Sequence, residues 1–241
     1  MKKTILIASL LLVGTSLNVL GDGHLAEEQS KGAFSGVIVA AKDTDKYLKS
    51  VASNPALFEL VGAYAGGYCR TVSGHDYPGQ VMVWTAFPNV TAALVGGSKY
   101  DPSNAPRATA KLREFKYNFT AVPLKAHARL DPGYERVTRI KVSPANVPVL
   151  VAVLTKVEKE IQEAGHDTFI NGLFMTIGGG THEVGTLTIR SITEDEKTMG
   201  AVFDDYLTGA SWADTWLQAT SLIDEVVSDQ FEVCEQLYAA E

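Results

Sequence analysis

Three kinds of side chain in this sequence could do chemistry: aromatic and cationic residues set inside apolar runs, histidines next to acids, and two cysteines. Trp84 lies in the middle of the apolar run 80–87, and Tyr64, Tyr68 and Arg70 fall at even spacings that put them on one face of a strand. Arg136 and Arg190 also sit within β-branched runs rather than at their ends. A guanidinium buried in such a place needs a carboxylate, a carbonyl or a ligand anion. Together these groups suit a polar, planar, acidic or phenolic small molecule, and equally they could be a core tryptophan with solvated edge arginines.

The pairs His75-Asp76, His166-Asp167 and His182-Glu183 set imidazole beside carboxylate, which suits zinc or general acid–base work. None has the i, i+4 spacing of a strong metal motif. His75 and His182 fall in corresponding polar turns and remain weak metal candidates, so no metal or other cofactor is expected. The glycine runs at 66–67, 96–97 and 178–180 precede no Lys-Ser/Thr and lack dinucleotide spacing, so they read as turns or bulges rather than phosphate loops. No motif fixes a reaction, and whether the protein is an enzyme stays open.

The chain has 241 residues with a net charge of −7, and no run of Lys and Arg interrupts the acidic excess. Nucleic acid and anionic membranes are therefore not expected partners. Residues 1–21 combine Lys2 and Lys3, an apolar stretch over 5–13, and Val19 and Gly21 before a plausible cut. That is the pattern of a secretory signal peptide, predicting a soluble periplasmic or secreted protein. In an oxidising compartment Cys69 and Cys234 could pair or stay as two buried thiols.

A polar lead-in (22–32) precedes two blocks, 33–127 and 134–241, separated by a linker (128–133) that contains Asp131-Pro132-Gly133. In the first block the pattern predicts strands over 34–41, 63–72, 80–87 and 117–122, with helices from Thr44 behind an Asp43 cap, from Asn89, and over 107–115. In the second it predicts strands over 134–142, 169–177, 184–192 and 230–238. Helices follow Ser143-Pro144 and cover 194–206 and 211–227, the last opened by a Ser211/Asp214 capping pair. Each block reads β-α-β-β-α-β, the ferredoxin-like order. Val81, Val83 and Phe87 on one face of a strand and Met82, Trp84 and Ala86 on the other are all apolar, so both faces must be covered. Two α+β halves packed sheet to sheet satisfy that; a single sandwich of eight mixed strands is the alternative.

Over about residues 33–239 this order resembles the dimeric α+β barrel superfamily in a tandem single-chain form, a group that includes antibiotic-biosynthesis-type monooxygenases, haem-degrading proteins, chlorite dismutases and dye-decolourising peroxidases. The resemblance implies a small-molecule site between sheet and helices or inside the barrel, with Trp84 where relatives place a cavity tryptophan. It also implies cofactor-independent oxygenase chemistry, with a non-catalytic scaffold role as the alternative. Where haem-degrading relatives have Asn on the first strand and His on the second helix, this chain offers Ser35 and no His over 89–97. No Gly-x-x-Asp-Gly signature is present, so haem is not expected. In such a barrel the second strand of one half lies beside the fourth of the other, which places Cys69 next to Cys234 and favours a bridge. Oligomeric state stays open.

Overall fold

Local signals set most of the element boundaries. In the first part of the chain a strand β1 (Ala33–Ala41) leads to Asp43, whose carboxylate accepts from Lys46 N at 3.1 Å and opens helix α1 (Thr44–Ala52). A short helix α2 (Ala56–Val61) ends at Gly62, whose φ of 75° requires glycine. Strands β2 (Ala65–Ser73) and β3 (Gln80–Phe87) follow, then α3 (Val90–Gly97), capped by Asn89 through Ala92 N at 2.8 Å. Helix α4 (Arg107–Leu112) runs directly into β4 (Arg113–Lys125). The second part contains β5 (Tyr134–Lys141), α5 (Val147–Glu163), β6 (Ile170–Ile177), β7 (Leu187–Thr193), α6 (Glu196–Leu207), α7 (Ala213–Ser221) and β8 (Glu225–Ala239).

The computed structural model describes residues 32–125 and 133–240. The predicted signal peptide, nearly all of the lead-in and most of the linker lie outside the described residues. No described helix is long and apolar enough to cross a membrane.

All eight strands pair antiparallel into one closed barrel in the order β1-β3-β2-β8-β5-β7-β6-β4. Residues 33–125 supply the contiguous run β4-β1-β3-β2 and residues 134–239 the run β8-β5-β7-β6, so β2 meets β8 at one seam and β4 meets β6 at the other. Closure leaves no strand edge open. Strand residues alternate between the interior and an outer face covered by helices. Outside, Val39, Val81, Val83 and Tyr68 pack with Tyr47 of α1 and Phe58 of α2, while Leu150, Leu154, Val157 and Ile161 of α5 pack with Leu173, Ile189 and Trp212. Inside, Ile38, Cys69, Met82, Trp84 and Cys234 form a separate cluster.

The glycine pair of β2 serves both faces. A Cβ at Gly66 would collide with the Phe58 ring outside, and one at Gly67 would meet the Trp84 indole inside. Trp84 is flanked in the sheet by Gly36 and Gly67; the space beside Gly67 takes the indole, and that beside Gly36 takes the Phe119 ring. Gly66 and Gly67 also bracket a register shift against β8, so this run is a bulge within a strand rather than a turn.

Two helices end earlier than the sequence pattern predicts, and the strands that follow them start correspondingly earlier. The helix predicted over 107–115 stops at Leu112, because Arg113 is extended (φ −145°, ψ 159°) and pairs with Ala41, with Phe115 opposite Val39. The helix predicted over 211–227 stops at Ser221, because Glu225 and Val226 pair with Lys141 and Ile140 in β8. Two adjacent valines favour strand, and a paired neighbour decides the matter. Nor does Ser211 cap α7: Trp212 occupies that position without a side-chain hydrogen bond.

Candidate functional site

A cavity of about 810 Å³ lies outside the barrel, between the outer faces of β1, β3 and β4 and the cover formed by α1, α2, α3 and the 99–106 segment. Alternation puts Ser35, Val37, Val83, Thr85, Asn118 and Thr120 on its floor. The Ser35 and Thr120 hydroxyls lie 3.2 Å apart, and the Thr85 hydroxyl donates to Ser35 O at 3.4 Å. Leu57, Phe58, Val51, Ala93 and Leu94 supply the apolar cover. Arg113, at the first position of β4, is buried in the wall and donates from Nη2 to Pro102 O at 2.8 Å. Its guanidinium faces the Tyr47 hydroxyl, which burial pushes up to about 12 against the pull of Arg113. Tyr47 therefore stays a neutral phenol at physiological pH.

None of Trp84, Tyr64, Tyr68, Arg70, Arg136 and Arg190 lines this cavity. Tyr68 and Arg70 do share the outer face of β2, as expected, while strand alternation and burial send Trp84, Arg136 and Arg190 elsewhere. Trp84 points into the barrel. Tyr68 is buried under the helices beside Glu235, with burial and that carboxylate pushing its phenol up to about 12. Tyr64 precedes β2 and is 42% exposed, and Arg70 is exposed. Arg136 lines a smaller cavity of about 310 Å³ under α5 and α7 and forms a two-pronged ion pair with Asp229 at 2.8 and 2.6 Å. Arg190 lies inside the barrel, donating to Glu135 at 2.6 Å and Glu232 at 2.9 Å.

That interior cluster sits against the Cys69–Cys234 disulfide, which joins directly paired residues of β2 and β8. Burial raises the Glu135 carboxyl even though Arg190 pulls it down. For Arg190, burial opposes the charge, but the two glutamates more than offset this and raise its pKa. Near one end of the barrel Tyr117 donates to Glu183 at 2.9 Å, Arg139 reaches the same carboxylate at 3.3 Å, and the His182 ring stacks on Tyr117 at 4.2 Å. Trp84→Phe is accordingly expected to lower stability by about 1–2 kcal/mol in chemical denaturation without changing ligand binding in the helix-side cavity. Weakened binding at unchanged stability would return Trp84 to the site.

The residues that do line the large cavity offer no histidine, cysteine or methionine, and its one carboxylate is Asp101. Haem needs an axial ligand, and the neutral Tyr47 phenol is a poor one, so this lining does not fit haem. His75 is an exposed turn residue, His182 is engaged with Tyr117, and His166 pairs with Asp205 at 2.9 Å. Among the described residues the one group of three close metal-type ligands is Cys69, Glu232 and Cys234, and its two cysteines are bridged.

The sequence does not single out Arg113 and Tyr47. The spacing of Arg113 and Phe115 fits a strand face, but the helical pattern that begins at Arg107 runs into it and masks it.

No protein-family profile matches the chain, and no curated protein does. Solved structures do share its fold. A candidate monooxygenase from Lactobacillus acidophilus superposes with a TM-score of 0.55 at 11% identity, covering 87% of this chain and 96% of that one. A chlorite dismutase variant from Candidatus Nitrospira defluvii gives 0.52 at 9% identity, covering 86% and 92%. A haem-binding protein from Thermus thermophilus gives 0.53 at 11%, covering 87% and 93%. These neighbours are dimeric α+β barrel proteins, and the likeness is one of fold.

Proposed function

We propose that this is an exported small-molecule-binding α+β barrel protein, built as two tandem ferredoxin-like halves, whose ligand occupies the helix-side cavity of the first half. The cavity carries this reading: at about 810 Å³ it lies within the range of about 300–1,000 Å³ usual for ligand sites, and it combines apolar walls with a few convergent polar groups. The equivalent strand orders of the two runs support the tandem arrangement. The N-terminal pattern of residues 1–21 and the disulfide support export, since such bridges persist in oxidising compartments.

The most specific enzymatic version is monooxygenase-like chemistry, in keeping with the names of two structural neighbours; its cofactor independence rests on the sequence resemblance alone. In that version the residues lining the cavity would bind the substrate, exclude water and hold its polar end. A non-catalytic binding role on the same scaffold is the second reading. It is favoured by a lining that has no histidine and only Asp101 as a carboxylate to move a proton.

Native mass spectrometry of the exported protein tests the proposal. It should show a retained organic molecule, and the intact mass should show loss of residues 1–21. Gly97 lines the cavity, and a Cβ there meets nothing within 4 Å. Gly97→Trp should therefore fold normally and reduce ligand occupancy by about tenfold or more through steric exclusion. An unchanged ligand load in that variant would place the ligand elsewhere; no small molecule bound at all would remove the proposal.

A further inference from the structure

We infer that the ligand of the helix-side cavity is an amphipathic anion, its acidic head on Arg113 and its apolar body along Val83, Phe58 and Leu57; this rests on the cavity being the binding site.

Among the described residues the other buried cations are matched to carboxylates. Arg190 holds Glu135 and Glu232, and Lys125 holds Glu158 at 2.8 Å together with Asn171 O at 2.8 Å. Arg113 is as buried as Lys125, each being 5% exposed, yet among the described residues no carboxylate lies within 4.0 Å of it. One donor goes to the Pro102 carbonyl, the guanidinium also meets the neutral Tyr47 hydroxyl, the Phe115 ring lies 5.9 Å away, and the buried Nε has no partner within the protein. Its neighbour Tyr47 is neutral and supplies no balancing charge.

The lining's one acid, Asp101, is exposed and occupied by Ser103, accepting from its backbone N at 2.9 Å and its hydroxyl at 2.6 Å. Lys99 adds a second cation at the exposed margin, so the cavity carries an excess of positive charge in a protein of net charge −7. An unpaired buried guanidinium is costly, and its fork of donors matches a planar anion. A ligand carboxylate in the cavity would supply the charge that no described residue supplies to Arg113, while the apolar wall takes up the rest of the molecule.

The test compares 2-naphthoate with 2-naphthylmethanol, two probes of nearly equal shape that differ in charge, by calorimetric titration at pH 7 into the wild-type protein and into Arg113→Met. The expected result is naphthoate binding tighter than the alcohol by about tenfold or more, because a hydrogen bond to a charged group is worth that much. In Arg113→Met the preference should fall to near parity, with alcohol affinity unchanged, and Arg113→Lys should keep part of it. If Arg113→Met fails to fold, the wild-type preference and Arg113→Lys decide the matter by themselves. Equal binding of both probes to the wild type, or a preference that survives in Arg113→Met, overturns the inference while leaving the cavity a binding site. Arg113 would then serve only to hold the Pro102 segment. Failure of both probes to bind overturns the inference and the choice of cavity together.

Discussion

Arg190→Met should lower the unfolding free energy by about 3–5 kcal/mol, because it leaves two buried carboxylates without their counter-ion. Glu135 and Glu232 are each about as buried as the arginine they share, and both are held at hydrogen-bonding distance by it. The pH dependence gives this prediction its sign. Burial raises the Glu135 pKa above its ordinary value of 4.5, despite Arg190. The folded state therefore holds that proton more tightly than the unfolded state. The contribution is fully present below the unfolded pKa and is lost as pH rises through the folded one. Removing the guanidinium takes away the one charge that lowers the Glu135 carboxyl and so pushes it further in the same direction. The deficit of the variant relative to wild type should be smallest near pH 4.5 and grow towards pH 7.5, as read by urea denaturation at the two pH values. Converting both glutamates to glutamine in the Arg190→Met background should recover more than half of the loss. A deficit independent of pH, or one below about 1 kcal/mol, would mean that the three charges are solvated and uncoupled.

The order of elements was legible in the chain because apolar runs, caps and turns are local. Asp43 and Asn89 announce their helices through side-chain hydrogen bonds that span three residues. The seam between β2 and β8 was legible as well, because a two-block strand order leaves few ways to close a sheet. What could not be read was the assignment of faces. Strand β3 is apolar on both sides, so nothing in 80–87 says whether Val83 or Trp84 faces the helices. The answer lies in Gly67, on the neighbouring strand and 17 positions away in the chain, whose missing side chain leaves room for the indole inside the barrel. Arg190 likewise finds its carboxylates 55 and 42 positions away, a pairing that no local pattern records. Arg113 stayed hidden for a different reason: the turn from α4 into β4 takes place with no intervening residue, so no Gly, Pro or Asn marks it.

Removal of the Cys69–Cys234 bridge, as the double alanine variant or by reduction, should cost about 5 kcal/mol in the chain-entropy model, the largest single loss expected in this protein. The bridge spans 165 positions and so restricts most of the described chain in its unfolded state. Its place in the sheet adds a second consequence. Cys69 and Cys234 face each other across β2 and β8, where the run of strands from residues 33–125 meets the run from 134–239. The hydrogen bonds of that seam remain after the sulfurs are parted, and the opposite seam between β4 and β6 is untouched. The bridge-free protein should therefore still fold, and unfold in one cooperative step at a much lower denaturant midpoint, with no separate early opening of the barrel. The intact mass of the untreated protein should be two hydrogens lighter than that of the reduced protein. Identical midpoints with and without reductant, once the thiols are shown to be free, would mean that the bridge contributes nothing to stability. Two separate transitions in the double variant would instead show that the two runs of strands are independent units held as one by the disulfide, since a single closed sheet with both seams intact has no reason to come apart in stages.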